Sequence, residues 1–152
     1  NAVTGIPTSK GVSKVTINNI DDEPGIASSI FLPLSEMGIS VDVIVQTAGN
    51  DGKTNLSFTL DDNDLESCVN ELMKNNVSKK EFIKTQSGLG KISIVGTGIQ
   101  NQPGYASRMF KTLSENKINI EMITTSEIRI TCIIKSSDLE LAAKSLHKEF
   151  IA

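Results

Sequence analysis

Two Pro-Gly pairs mark the places where this sequence predicts binding chemistry. Pro24-Gly25 and Pro103-Gly104 each precede a stretch whose apolar residues recur at helical spacing. The first N–H groups of a helix have no partner inside the helix, so they suit a carboxylate. Asp22, just ahead of the first pair, can accept a hydrogen bond from an ammonium group. Together these groups match the zwitterionic end of an amino acid; the alternative is that Asp22 only caps the helix.

Other chemistry finds little support in the sequence. The segments 88–90 and 96–98 have the pattern Gly-x-Gly, but neither completes GxGxxG or GxxxxGK, so both are interpreted as turns. Cys68 and Cys132 lack partners at metal-ligand spacing, and we expect both to be reduced packing residues. No residues resemble a catalytic triad, a paired-carboxylate site or a metal cluster with a defined strand context. The sequence therefore predicts no catalytic residue and no metal site.

Charge and hydropathy exclude two classes of partner. The net charge is −3, and Lys and Arg are scattered and form no basic stripe, which argues against nucleic acid. No apolar run approaches the roughly 20 residues that span a bilayer, and the chain opens without the features of a signal peptide. We expect a soluble, cytoplasmic protein with no membrane partner.

The two Pro-Gly stretches belong to an internal repeat. PGIASSIFLPLSEMGI, residues 24–39, returns as PGYASRMFKTLSENKI, residues 103–118, at an offset of 79 (103 minus 24). The strand-like segment 14–17 returns at 91–94, an offset of 77 (91 minus 14). A unit of this length that occurs twice indicates duplication of a small domain. A domain of roughly 70 residues buries little surface alone, so we expect the chain to form an oligomer.

The elements that position these residues follow one order in both copies. Hydrophobic periodicity and turn residues predict, for the first copy, strand, helix, two strands, helix and strand, at residues 15–17, 24–38, 41–46, 56–60, 61–73 and 77–84. Pro33 lies inside the first helix and predicts a kink or an irregular last turn. This order is the ferredoxin-like βαββαβ unit.

The second copy lacks its last strand. Its elements are predicted at residues 92–95, 104–115, 119–125, 128–134 and 137–148. The spare apolar segment 2–6 precedes the first copy, and we assign it to the sheet of the second. The predicted fold is therefore α+β with two ferredoxin-like domains, the first inserted into the second. The predicted domains are residues 15–85 and residues 1–14 with 86–152.

Seven motifs together resemble one family. They are AVTGI, DDEPGIASSIF, ISVDVIVQT, GKISIVGTGI, QPGYASRMF, INIEMITTSEIRI and LAAKSLHKEF. They cover essentially the whole chain and resemble the C-terminal regulatory region of aspartate kinase (aspartokinase), with its two tandem ACT domains, or the separate regulatory β-subunit of some of these enzymes.

The resemblance implies regulation without catalysis. The amino-acid kinase domain, with its ATP, Mg and aspartate sites, would lie upstream, so this chain itself would need no cofactor. Threonine, lysine or both would bind between ACT domains and inhibit the kinase by feedback. The chain would form a homodimer in which the first ACT domain of one chain meets the second of its partner, and it would act on the kinase catalytic domain or α-subunit. The competing hypothesis is a ligand-free ACT dimerisation module with a purely structural role.

The resemblance also implies which residues would bind the effector. In the first half they are Asp22, Gly25, Ile26, Ala27 and Gln46, and in the second Asn101, Gln102, Ala106, Asn119, Ile120, Ser126 and Glu127. Asp22 would meet the ammonium, N–H groups at the helix start the carboxylate, and Gln46 or Asn119 the side chain. Ser40 stands where the family usually has Asn, and a hydroxyl does not reach as far as an amide.

Overall fold

The computed structural model describes residues 2–151, which divide into two compact units. Residues 12–87 form the first, called here the inserted unit. Residues 2–11 and 88–151 form the second, called the split unit because its two segments flank the first in sequence. Both units contain the βαββαβ pattern, so the predicted fold class is confirmed.

The inserted unit has two helices on one face of an antiparallel sheet. Its elements are β1 (Thr8–Asp21), α1 (Ile26–Glu36), β2 (Val41–Ala48), β3 (Lys53–Asp61), α2 (Leu65–Lys74) and the start of β4 (Ile83–Val95). The strand order is β2-β3-β1-β4, with β3 antiparallel to both β1 and β2. Alternate residues of β1 and β3, such as Ile17 and Phe58, are fully buried against Ile30 and Leu34 of α1 and Leu72 of α2.

The split unit repeats this arrangement, and its N-terminal segment, residues 2–11, contributes to its sheet. Its further elements are α3 (Tyr105–Glu115), β5 (Met122–Thr125), β6 (Arg129–Lys135) and α4 (Leu139–Phe150). The strand order is β1-β4-β6-β5, and Gly5 forms an antiparallel bridge with Val95. Residues 2–7 therefore run beside β4, as the prediction of an inserted domain requires.

The segment 77–95 differs from its prediction. A strand at 77–84, a glycine turn at 88–90 and a new strand at 92 were expected, but β4 is one continuous strand from Ile83 to Val95, preceded by a 3₁₀ turn at Lys80–Phe82. Gly90 lies within this strand, and a Cβ there would come within 2.5 Å of Leu139 Cδ1 and 2.9 Å of the carbonyl oxygen of Ser9. Close approach of a neighbouring backbone and of the Leu139 side chain, and not a turn, accounts for this glycine. The Gly-x-Gly pattern at 96–98 does form the predicted turn.

The start of α1 also differs. Pro24 was placed in the first helical turn, but Pro24 and Gly25 form a turn that precedes the helix. Gly25 has φ 88°, and the Ile26 N–H donates to Glu23 O at 3.2 Å, which together define a type II turn with proline and glycine in their preferred positions. Pro33 is accommodated within α1, and the irregularity falls in the last turn, where the Met37 N–H is shared between Pro33 O and Leu34 O.

Gly38 ends α1, as predicted, through a Schellman motif. The Ile39 N–H donates to Leu34 O and the Gly38 N–H to Ser35 O, both at 2.9 Å, with Gly38 at φ 79°. The same two bonds recur at the end of α3, where Lys117 occupies the glycine position at φ 59°. A side chain at positive φ costs conformational energy that glycine avoids.

We predict that Lys117→Gly stabilises the protein by about 0.5 to 1 kcal/mol, because it relieves this positive φ without removing a buried contact. Chemical denaturation measures the change. The reciprocal variant Gly38→Lys at the equivalent position should destabilise by a similar amount. A loss of stability in Lys117→Gly would show that the lysine side chain contributes more than its backbone conformation costs.

Candidate functional site

The start of α3 forms one wall of a pocket in the split unit. Gly104 precedes the helix with φ 103°, and the first intrahelical bond runs from the Arg108 N–H to Gly104 O at 2.9 Å. The N–H groups before Arg108 therefore have no intrahelical partner. A side chain is disfavoured at Gly104 because of its positive φ, which explains the glycine of the Pro-Gly pair.

The loop between β5 and β6 forms the opposite wall. The Ser126 N–H donates to Arg129 O at 2.8 Å, and Ser126 Oγ accepts from the Ile128 N–H at 3.4 Å, so the loop is a tight turn with Glu127 at its tip. The pocket has a volume of about 500 Å³ and is lined by Ile99, Gln100, Gln102, Pro103, Gly104, Ala106, Thr125, Ser126, Glu127 and Ile130. Glu127 is the only charged side chain among these lining residues.

The structure thus brings together four of the residues predicted for the second half. They are Gln102, Ala106, Ser126 and Glu127. Asn101 lies in the 3₁₀ turn before the Pro-Gly pair and is exposed. Asn119 and Ile120 line a different pocket, beside Lys117, and the Asn119 Nδ2 donates to Glu121 Oε2 at 2.7 Å. Within one chain these two residues are not part of the pocket at the start of α3.

The predicted residues of the first half lie around the start of α1. The Asp22 N–H donates to Gly52 O at 2.9 Å, which anchors this segment to the β2–β3 hairpin. The Asp22 side chain is exposed and has no hydrogen bond or ion pair with the described residues. Ile26 and Ala27 are half-buried, and Gln46 on β2 donates through Nε2 to Thr54 Oγ1 at 3.2 Å.

The helix cap was the alternative role for Asp22, and the structure does not support it. The cap position of α1 is Gly25, and no side chain accepts a hydrogen bond from the first turn. The carboxylate of Asp22 is therefore available for another partner.

Several pocket residues were missed by sequence reasoning. Gly104 belongs to the second Pro-Gly pair that the sequence singled out, but it was not among the predicted effector-binding residues, although it is the counterpart of Gly25 (104 minus 25 is 79). Gln100 and Thr125 adjoin predicted residues in sequence, whereas Ile99 and Ile130 come from separate elements and are buried beneath the pocket. No local pattern distinguishes the last two from ordinary core residues.

Both cysteines are buried free thiols, as predicted. Burial raises the pKa of Cys132 to about 12. Burial and, to a lesser extent, the nearby Asp64 carboxylate raise the pKa of Cys68 to about 11. At neutral pH both thiols stay protonated, so neither is an activated nucleophile. Within residues 2–151, no group of three or more His, Cys, Asp or Glu is placed to hold a metal ion.

Comparison with known proteins gives the family. The ACT domain model matches residues 15–75 and 92–150, one match for each repeat. The regulatory subunit of aspartate kinase from Thermus thermophilus is 31% identical, with a TM-score of 0.88 over 99% of both chains. The chain belongs to the ACT-domain regulatory region of aspartokinases. A chain in a structure of aspartokinase alpha and beta subunits is also similar, at 34% identity and a TM-score of 0.87, over 99% of this ACT chain and 100% of that one.

Curated aspartokinases match this ACT chain over part of their length. The Helicobacter pylori enzyme is 41% identical over 145 residues, which are 95% of this chain and 36% of the enzyme. The Pseudomonas aeruginosa enzyme is 38% identical over 151 residues and is covered to the same 36%. This chain therefore spans about a third of the length of these relatives and corresponds to their regulatory part. In the described part of the chain, no helix combines the length and the apolar character needed to cross a membrane.

Proposed function

We propose that this chain is the allosteric regulatory module of an aspartate kinase and binds threonine, lysine or both at interfaces between ACT units, for feedback inhibition of the aspartate pathway. The pocket at the start of α3 carries the proposal. It is lined by the start of α3, whose first N–H groups have no intrahelical partner, and by Glu127, and its volume of about 500 Å³ accommodates an amino acid.

The two halves of the chain offer the same chemistry. In each, N–H groups at the helix start bind the effector carboxylate, which the helix dipole also favours. Asp22 in the inserted unit and Glu127 in the split unit are the carboxylates for the ammonium group. Gln46 and Asn119 recognise the effector side chain. An effector that binds one state of the module more tightly than the other shifts the equilibrium between them, and this difference in affinity is what inhibits the kinase.

The edge strands support a homodimer. β2 and β5 are terminal in their strand orders and carry the exposed residues Ile44 and Ile123, which are equivalent in the repeat (123 minus 44 is 79). An edge strand that carries an exposed apolar residue favours pairing with another chain. Gln46 lies on β2, and Asn119 lies shortly before β5, so a second chain would complete a binding site at these edges.

The kinase partner is a catalytic domain or an α-subunit. Similarity along the full length of the Thermus regulatory subunit and to a chain of the alpha and beta subunit structure supports this assignment. ATP and Mg would bind to that partner, and this chain would need no cofactor of its own.

Titration calorimetry with threonine and with lysine, alongside light scattering, tests the proposal. We expect a dimer that binds at least one of the two amino acids saturably. Glu127→Gln should weaken binding by about tenfold, because it removes the charge of a charge-assisted hydrogen bond. The matched control Glu115→Gln, at the end of α3, should leave affinity unchanged.

A dimer that binds neither amino acid would favour the ligand-free dimerisation module. A monomer at micromolar concentration, with and without amino acids, would contradict both functions.

A further inference from the structure

The split unit contains an arginine packed against a stacked pair of aromatic rings. The Arg108 guanidinium carbon lies 4.6 Å from the Phe150 ring centroid and 5.6 Å from that of Tyr105. Its Nε donates to Glu149 Oε1 at 3.0 Å and its Nη2 to Glu149 O at 3.1 Å. The two rings stack with their centroids 6.1 Å apart. These four side chains occupy the space between the start of α3 and the end of α4.

The repeat shows what stands at the same positions in the inserted unit. The offset for α1 and α3 is 79, and the α2 and α4 helices align at an offset of 74 (139 minus 65). The counterparts of Tyr105, Arg108, Glu149 and Phe150 are therefore Ile26, Ser29, Asn75 and Asn76. All four of these smaller residues line a pocket of about 460 Å³, called here the α1–α2 pocket. The inserted unit thus has a pocket where the split unit places its arginine.

The other lining residues favour a cation. Ile20, Pro33 and Val77 give the α1–α2 pocket an apolar surface, and no Lys, Arg or His lines it. Of its two carboxylates, Asp21 pairs with Lys53, whereas Glu23 has no ion pair among residues 2–151. These observations describe a surface that is apolar in part and negative in charge.

The end of α2 adds hydrogen-bond acceptors to the same pocket. Asn75 caps the helix, whose C-terminal carbonyl groups carry partial negative charge. The Asn75 Nδ2 donates to Glu71 Oε2 at 3.0 Å, which leaves the Asn75 Oδ1 as an acceptor. Carbonyl and carboxylate oxygens above apolar side chains suit a cationic head group on an aliphatic stem.

We propose that the α1–α2 pocket binds a guanidinium or ammonium group on an aliphatic stem, with Glu23 and the oxygen acceptors at the end of α2 in place of the aromatic rings and Glu149 that hold Arg108 in the split unit. The group comes from a small amine or from an Arg or Lys side chain of a partner protein. This site is separate from the proposed effector sites, with which it shares only Ile26, and it does not depend on them.

An NMR titration of the full chain with methylguanidinium tests the proposal. We expect saturable shifts of the Ile26, Ser29, Asn75 and Asn76 signals, with a dissociation constant of about 1 to 10 mM for this small probe. The neutral, equally shaped probe methylurea should produce no saturable shift. Methylguanidinium shifts that fail to saturate, or that are matched by methylurea, would overturn the proposal.

Two variants supply the sharper test. Ser29→Arg introduces the arginine of the other repeat and should abolish methylguanidinium binding, at least about a tenfold loss. Glu23→Gln should weaken binding about threefold, since it removes one exposed carboxylate, whereas Glu36→Gln on the same helix should have no effect. Circular dichroism checks that each variant folds. Unchanged binding in a folded Ser29→Arg variant would refute the assignment of the pocket.

A comparison of free arginine with Nα-acetyl-arginine amide shows whether the bound group belongs to a small amine or to a side chain of a partner protein. Tighter binding of Nα-acetyl-arginine amide than of free arginine indicates a partner's side chain, and the reverse order indicates a small amine. Because threonine plays no part in these measurements, their failure is distinguishable from failure of the proposed effector function.

Discussion

Gly96→Ala is expected to destabilise the split unit by about 3 kcal/mol or more, a fall in melting temperature of about 10 °C or more for a unit of this size. The Cβ of an alanine there would overlap the carbonyl oxygen of Ala2 and lie 3.2 Å from Val3 Cα. These neighbours are backbone atoms, so no side-chain rotation relieves the overlap. The N-terminal segment must move away from β4.

That movement breaks several interactions at once. The Thr4 N–H bond to Val95 O at 2.7 Å and the Val95 N–H bond to Gly5 O at 3.0 Å would be lost. Val3, which is 5% exposed, would leave the core. Differential scanning calorimetry measures the change, and Gly5→Ala is the matched control, because no atom lies within 4 Å of a Cβ at Gly5. Equal melting temperatures for the two variants would mean that residues 2–5 contribute little to the sheet.

Asp22→Ala is expected to weaken effector binding by about tenfold to a hundredfold, provided that Asp22 holds the effector's ammonium in a largely desolvated dimer site. The variant should keep its melting temperature, because the first turn of α1 has no side-chain cap to lose. Titration with threonine and with lysine measures affinity, and thermal denaturation measures stability. The two readouts separate binding from folding.

Gln46→Ala provides the companion test. Gln46 would lie on the same wall of the site as Asp22, so its truncation should weaken binding of the same ligand. Its bond to Thr54 Oγ1 is partly exposed, so stability should change little. If both variants bind threonine and lysine as the unaltered chain does, the first effector site lies elsewhere. If Asp22→Ala loses stability but keeps its affinity, the residue has a structural role.

The sequence determined the architecture of this protein through its repeat. The two copies of the Pro-Gly stretch and the surplus segment 2–6 were sufficient to predict two ferredoxin-like units with one inserted into the other. Hydrophobic periodicity identified the order of helices and strands because each element buries one face against the same core. The motifs also identified the ACT regulatory region of aspartokinases, which the comparisons confirmed.

Only the tertiary structure decided what depends on neighbours distant in sequence. Gly90 lies in a strand, and a glycine is needed there because Ser9 O and the Leu139 side chain approach closely; nothing in the local pattern reveals those neighbours. Likewise, Gln102 and Glu127 meet in one pocket, whereas Asn119 faces another, because loops between strands and helices converge in three dimensions. The α1–α2 pocket also depends on tertiary packing, because smaller residues stand where the split unit has Tyr105, Arg108, Glu149 and Phe150, and the size of a cavity depends on which side chains fill it.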